Sequence, residues 1–212
     1  MLIKEQESQI TSTNPNRVTL VSGSVNVPGS PQNSSEGGVY IDNNEVPGRS
    51  FFQCPYSSHP LTNALYAGCD SNGINCYPLK WKTVYEFYEE AGVSWQLYQD
   101  TNNFDDNPLA WFQQFQKANK NSPLAQKGMS FVGLDAFYAA AANGTLPEVS
   151  FIVGPTELSE HPPYQPKDGG WLQKQVVDAV INSPKYSSTL LMISYDGKHD
   201  EDSHAYILDG VC

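Results

Sequence analysis

Residues 189–196 read TLLMISYD, and this stretch decides the fold. An apolar run of that length ending on a carboxylate has the form of a buried parallel strand, which needs no polar alternation because both of its faces are covered. Upstream, Trp171, Gln175, Val176, Ala179 and Val180 recur at helical spacing, and Val149–Val153 is a second short apolar strand. Leu134, Phe137, Tyr138 and Ala141 form another helical face, closed by Asn143-Gly144. Asn107-Pro108 has the form of an N-cap followed by proline at the first helical position, with Leu109, Phe112 and Phe115 behind it. Val84, Phe87, Tyr88 and Ala91 fall at i, i+3, i+4 and i+7 and stop at Gly92, after which Val93–Tyr98 alternates like a strand. The order α, β, α, α, β, α, β predicts an α/β fold, a mostly parallel sheet with helices on both faces.

Residues 18–80 differ in texture. They are rich in Gly, Pro, Asn and Ser with short β-branched runs such as Arg17–Val21, and they read as a loop-rich surface insertion. Cys54, Cys69 and Cys76 crowd this region, which suits a stapled extracellular loop, although the pairing stays open. Two sequons, at Asn33 and Asn143, point the same way. The opening residues lack the apolar core of a signal peptide, so export is expected of an intact parent and not of the chain as written. No segment is long and apolar enough to span a bilayer. With 23 Asp+Glu against 12 Lys+Arg, a formal charge of -11, nucleic acid and anionic membrane surfaces are poor partners.

In α/β sheets ligands bind beyond the carboxyl ends of the strands. Two features fall there: Glu160-His161-Pro162-Pro163, shortly after Val153, and Asp196, directly after Tyr195. A strand-end Asp either holds a cation or caps the next turn. His161 is either a surface loop residue or a donor to a phosphate or leaving group. Thr13, in TSTNPNR at 11–17, is a capping residue or a hydroxyl held where helix N–H groups also receive phosphate.

Together these words resemble the phosphoesterase family of phosphocholine-type phospholipases C and acid phosphatases. The matching words are TSTNPNR at 11–17, YEFYEEAGVSWQLY at 85–98, LPEVSFIV at 146–153, SEHP at 159–162 and ISYD at 193–196, in family order and closest to fungal members. The resemblance implies an alkaline-phosphatase-like fold, incomplete here, with a partial domain over residues 1–196. It implies a phosphoric ester hydrolase acting on a phospholipid or small phosphate ester. Thr13 is then the nucleophile, His161 an active-site histidine and Asp196 a ligand of a divalent metal ion of unknown identity, while Asn16 and Arg17 are structural.

The match also breaks. A Glu-Asn pair of metal ligands expected near the start does not precede Met1, and the acidic residue and glycine pair expected after Asp196 are replaced by Gly197-Lys198-His199-Asp200-Glu201-Asp202-Ser203-His204. Gly-Lys can be encoded as GGTAAG, which contains a typical intron start, so the segment 197–212 is read as a non-family, disordered tail rather than a metal site. The chain is accordingly expected to be an inactive fragment, the alternative being a non-catalytic binding or structural protein that keeps the fold.

Overall fold

The computed structural model describes residues 13–24, 79–101 and 106–195, with the backbone alone of 14, 15 and 205–211. Residues 25–78, with the Asn33 sequon and Cys54, Cys69 and Cys76, and Asp196 itself lie outside the described residues.

Helix α1 spans Thr13–Ser22, α2 Val84–Ala91, and strand β1 Trp95–Tyr98. A 3-10 turn at Pro108–Trp111 leads into the short α3, Gln113–Gln116, followed by α4, Pro123–Gly128, and α5, Gly133–Asn143. Strand β2 is Val149–Ile152, α6 is Pro166–Ile181, β3 is Thr189–Tyr195 and β4 is Ala205–Val211.

Local chemistry accounts for several boundaries. The Glu86 carboxylate accepts from the Thr83 backbone N–H at 2.8 Å and starts α2, and Gly92 ends it at φ 73°, a left-handed conformation that glycine adopts without Cβ strain. The Asn107 side chain accepts from Leu109 N–H at 3.1 Å and opens the 3-10 turn. Ser122 does the same for α4 through Ala125 N–H at 3.4 Å, with Pro123 at the first position.

The sheet order is β1-β2-β4-β3. β1 and β2 pair in parallel from Trp95↔Val149 to Tyr98↔Ile152. β4 runs antiparallel to both β2 and β3, so β1, β2 and β3 share one direction and end on one edge. The Glu148 carboxylate fixes the start of the parallel pair by accepting from Ser94 N–H at 2.8 Å and Ser94 Oγ at 2.9 Å, and those bonds, the backbone one foremost, hold its pKa below the usual value.

Two cores flank β1 and β2. Trp95, Leu97, Phe151 and Val153 pack with Val18 and Val21 of α1, Tyr85 of α2, and Leu109, Trp111, Phe112 and Phe115. Tyr98 and Ile152 face Leu134 and Phe137 of α5 and Leu172, Val176 and Val180 of α6. Alternate residues therefore point to opposite faces, as strand geometry requires.

Several expectations change. Arg17–Val21 is helix and not an extended run, and residues 18–24 with Leu79 belong to the folded body, so the proposed 18–80 insertion overlaps the domain at both ends. Val18 and Val21, three apart, bury on one side of α1, and that packing overrides β-branched propensity. The sheet is mixed, because β4 stands between β2 and β3. The backbone of residues 205–211, expected to be disordered, supplies that strand: seven register pairs with β3 satisfy the N–H and C=O groups that a short apolar segment cannot satisfy alone. On β3, Leu190 and Met192 remain exposed, so helices do not cover both faces there.

Gly128 closes α4 against the first core. A Cβ there would stand 3.0 Å from Leu109 Cδ1 and Phe115 Cε1 and 3.2 Å from Trp95 Cη2. Overpacking of about 1–3 kcal/mol outweighs the roughly 1 kcal/mol that alanine gains in helix propensity, so Gly128→Ala should lower stability on balance. A urea midpoint equal to or above wild type would show that this corner of the core is loose.

Candidate active site

Thr13 is the first residue of α1, 2% exposed, and its hydroxyl has no hydrogen-bond partner among the described residues. The first N–H groups of a helix have no intrahelical acceptor, so the hydroxyl sits where a phosphate oxygen is received well. The helix beneath it is firmly held. Arg17 is 1% exposed, its Nη2 lies 3.1 Å from Asp106 Oδ2, and its Nη1 donates to the Asp106 carbonyl. Trp81 Nε1 donates to Ser22 Oγ at 2.9 Å and ties the far end of α1 to the segment before α2.

His161 lies in the loop after a 3-10 turn at Thr156–Leu158. Its Nδ1 stands 2.6 Å from the Pro162 carbonyl, and its backbone N–H donates to Ser159 Oγ at 3.3 Å. The carbonyl can only accept, so Nδ1 carries a proton. Beside it, Glu160 Oε1 accepts from Gln173 Nε2 at 2.9 Å and from Tyr195 OH at 3.5 Å. Burial raises the Glu160 pKa, against the lowering effect of those two bonds. Through this contact the His161 loop meets the end of β3, on the edge where β1 and β2 also end.

The structure thus brings His161 next to the strand that leads to Asp196, while Asp196 lies outside the described residues. Thr13 and His161 are not bonded to each other, since the Thr13 hydroxyl has no partner. Among the described residues no group of three or more His, Cys, Asp or Glu side chains is gathered as a metal site.

Sequence reading missed Gln99. It directly follows β1, is 1% exposed, and neither its amide oxygen nor its amide nitrogen has a partner among the described residues. An orphaned buried amide costs about 1–3 kcal/mol, and this one lies at the carboxyl end of β1. The polar residue closing an alternating strand was the available signal. Glu160 was quoted only as the neighbour of His161, and Asp106 gave no signal, because its partner is 89 residues away.

The model of the Phosphoesterase family matches residues 5–202. The chain belongs to the phosphoesterase family. Relatives include the non-hemolytic phospholipase C of Pseudomonas aeruginosa, 40% identical over 130 residues, which cover 60% of this chain and 19% of that protein. The non-hemolytic phospholipase C of Burkholderia pseudomallei is 34% identical over 142 residues, covering 55% and 20% respectively. Phospholipase C A of Mycobacterium tuberculosis strain H37Rv is 28% identical over 167 residues, covering 68% and 32%. This phosphoesterase chain therefore spans about one fifth of the length of the first two relatives. These relatives are bacterial, and nothing in them bears on the expected closeness to fungal members. Among the described residues of the phosphoesterase fold, no helix is long and apolar enough to cross a membrane.

Proposed function

We propose that this phosphoesterase chain carries the nucleophile of a phosphoric ester hydrolase acting on phospholipids or small phosphate esters, with Thr13 as nucleophile and an alkaline-phosphatase-like architecture in the intact, secreted protein. The observation that carries the reading is the buried, unpartnered Thr13 hydroxyl at the start of α1, in a chain of this family. A structural capping threonine would spend its hydroxyl on a backbone N–H.

Thr13 Oγ forms a bond to phosphorus as the bond to the departing alcohol oxygen breaks, with the Thr13 proton passing to water and His161, in its imidazolium form, giving the Nε2 proton to the leaving oxygen. Water then attacks phosphorus and returns a proton to His161, the bond to Thr13 Oγ breaks, and the hydroxyl regains its proton from solvent. Thr13 and Asp196 offer the hard oxygen donors that a divalent cation takes, and such an ion, when bound, neutralises charge on the phosphate oxygens and favours ionisation of the hydroxyl. The chain's own residues hold the hydroxyl in place, through α1 and the Arg17–Asp106 pair.

Because the chain spans a fraction of its relatives and is not expected to turn over, the test is a single labelling event at the nucleophile. The intact 212-residue chain is mixed with p-nitrophenyl phosphate or p-nitrophenyl phosphorylcholine, with Ca²⁺, Mg²⁺ or Mn²⁺ in separate runs, and quenched in acid. Mass spectrometry should find the phosphoryl or phosphorylcholine adduct on Thr13 and none in Thr13→Ala. An adduct on Ser12, or none with any ion, would overturn the assignment and favour a non-catalytic binding protein.

A further inference from the structure

We infer that Glu160 is the positioning residue of His161: it locks the histidine loop to α6 and to the end of β3. The inference rests on the reading of His161 as the proton donor to the leaving group.

Glu160 has φ 65° and is the one non-glycine with positive φ among the described residues. That left-handed conformation is unfavourable for an L-residue and persists only where the surroundings hold it. What holds it is the side chain. Gln173 Nε2 donates to Glu160 Oε1 at 2.9 Å, the same Nε2 stands 2.6 Å from Tyr195 OH, and Tyr195 OH lies 3.5 Å from Glu160 Oε1. The three groups belong to three elements: the loop, the second turn of α6, and the last residue of β3.

α6 is built around this contact. Gly169 and Gly170 both fall in its early turns, where each glycine costs about 1 kcal/mol relative to alanine. At Gly170 an added Cβ meets nothing, but at Gly169 it would overlap Glu160 Cγ. Glycine at 169 therefore opens the slot through which the carboxylate reaches Gln173. A strained backbone and a helix-weakening glycine fall on one contact, and the residue fixed by it is the immediate neighbour of His161. The other side of the histidine is fixed independently, by Nδ1 on the Pro162 carbonyl and by its backbone N–H on Ser159 Oγ. With both sides held, Nε2 has a defined direction relative to the edge where β3 ends.

The experiment uses the intact chain and the variants Glu160→Ala, Glu160→Gln, Gly169→Ala and His161→Ala. One arm measures amide hydrogen exchange over residues 159–164. The other measures single-turnover labelling of Thr13 by two donors of the same phosphorylcholine group, the p-nitrophenyl ester and a dibutyrylglycerol ester. An alkoxide needs a proton to leave and p-nitrophenolate does not. Glu160→Ala and Gly169→Ala should raise exchange in the loop at least about tenfold. They should slow the glycerol ester about 10²-fold while changing the p-nitrophenyl ester by less than about threefold. Glu160→Gln, which keeps an oxygen acceptor for Gln173, should stay within about threefold of wild type on both. His161→Ala should show the same dependence on leaving group, and adding Glu160→Ala to it should change little. Unchanged exchange in Glu160→Ala, or equal slowing of both esters, would overturn the inference. If the wild-type chain labels with neither ester, the hydrolase reading falls, and the exchange arm alone decides whether Glu160 holds the loop.

Discussion

Replacing Arg17 by Met should cost about 3–5 kcal/mol, a large share of the roughly 5–15 kcal/mol that holds a domain folded. The side chains of Arg17 and Asp106 are 1% and 7% exposed, so the substitution takes the guanidinium away from a buried carboxylate and removes its hydrogen bond to the Asp106 carbonyl. Removing one partner of such a pair is far more damaging than the net worth of the pair, because the surviving charge keeps its desolvation penalty. Arg17→Lys keeps the charge but not the fork that reaches two acceptors at once, and should lose roughly half as much. Arg17→Met combined with Asp106→Leu should be less destabilised than the sum of the single changes by about 1–3 kcal/mol. Urea unfolding of the four proteins gives all of these quantities. A loss below about 1 kcal/mol for Arg17→Met would mean that the carboxylate reaches solvent, and that α1 is not anchored through this pair.

The reach of the sequence was uneven for physical reasons. α2, α5, β1 and β2 were legible because local chemistry and tertiary burial agree there: the apolar periodicity of Leu134, Phe137 and Ala141 is the buried side of α5, and Gly92 and Gly144 end helices in the left-handed conformation. α1 was not, because Arg17–Val21 carries β-branched residues whose preference is reversed by Val18 and Val21 entering the core and by Arg17 meeting Asp106. α4 went unread although Ser122-Pro123 is the same start signal as Asn107-Pro108. β4 was missed for a different reason. Its residues make little sense as an isolated segment, and it sits between β3, which shortly precedes it, and β2, which lies far upstream in sequence. The same holds for the site. Thr13 and His161 were visible as words, whereas the Glu160, Gln173 and Tyr195 contact joins three elements and leaves no local pattern.

Thr13→Val should abolish labelling of residue 13, lowering phosphoryl transfer at least about 10³-fold, while leaving the fold as stable as wild type or more so. The two side chains have nearly the same shape, so α1 keeps its packing. The wild-type hydroxyl is buried without a partner, and an unmet buried hydroxyl costs about 1–3 kcal/mol, so its removal should raise stability by about 1 kcal/mol. Thr13→Ser, which keeps the hydroxyl but gives up a methyl group in a buried position, should retain measurable labelling and lose about 1 kcal/mol. Opposite movement of stability and reactivity is what separates a reacting group from a cap, because a capping hydroxyl replaced by valine would lose about 1 kcal/mol with its hydrogen bond. The measurements are urea unfolding and acid-quenched mass spectrometry on the same preparations. If Thr13→Val lost more than about 1 kcal/mol, the hydroxyl would be serving the fold, and the nucleophile would have to be sought elsewhere along the edge where β1, β2 and β3 end.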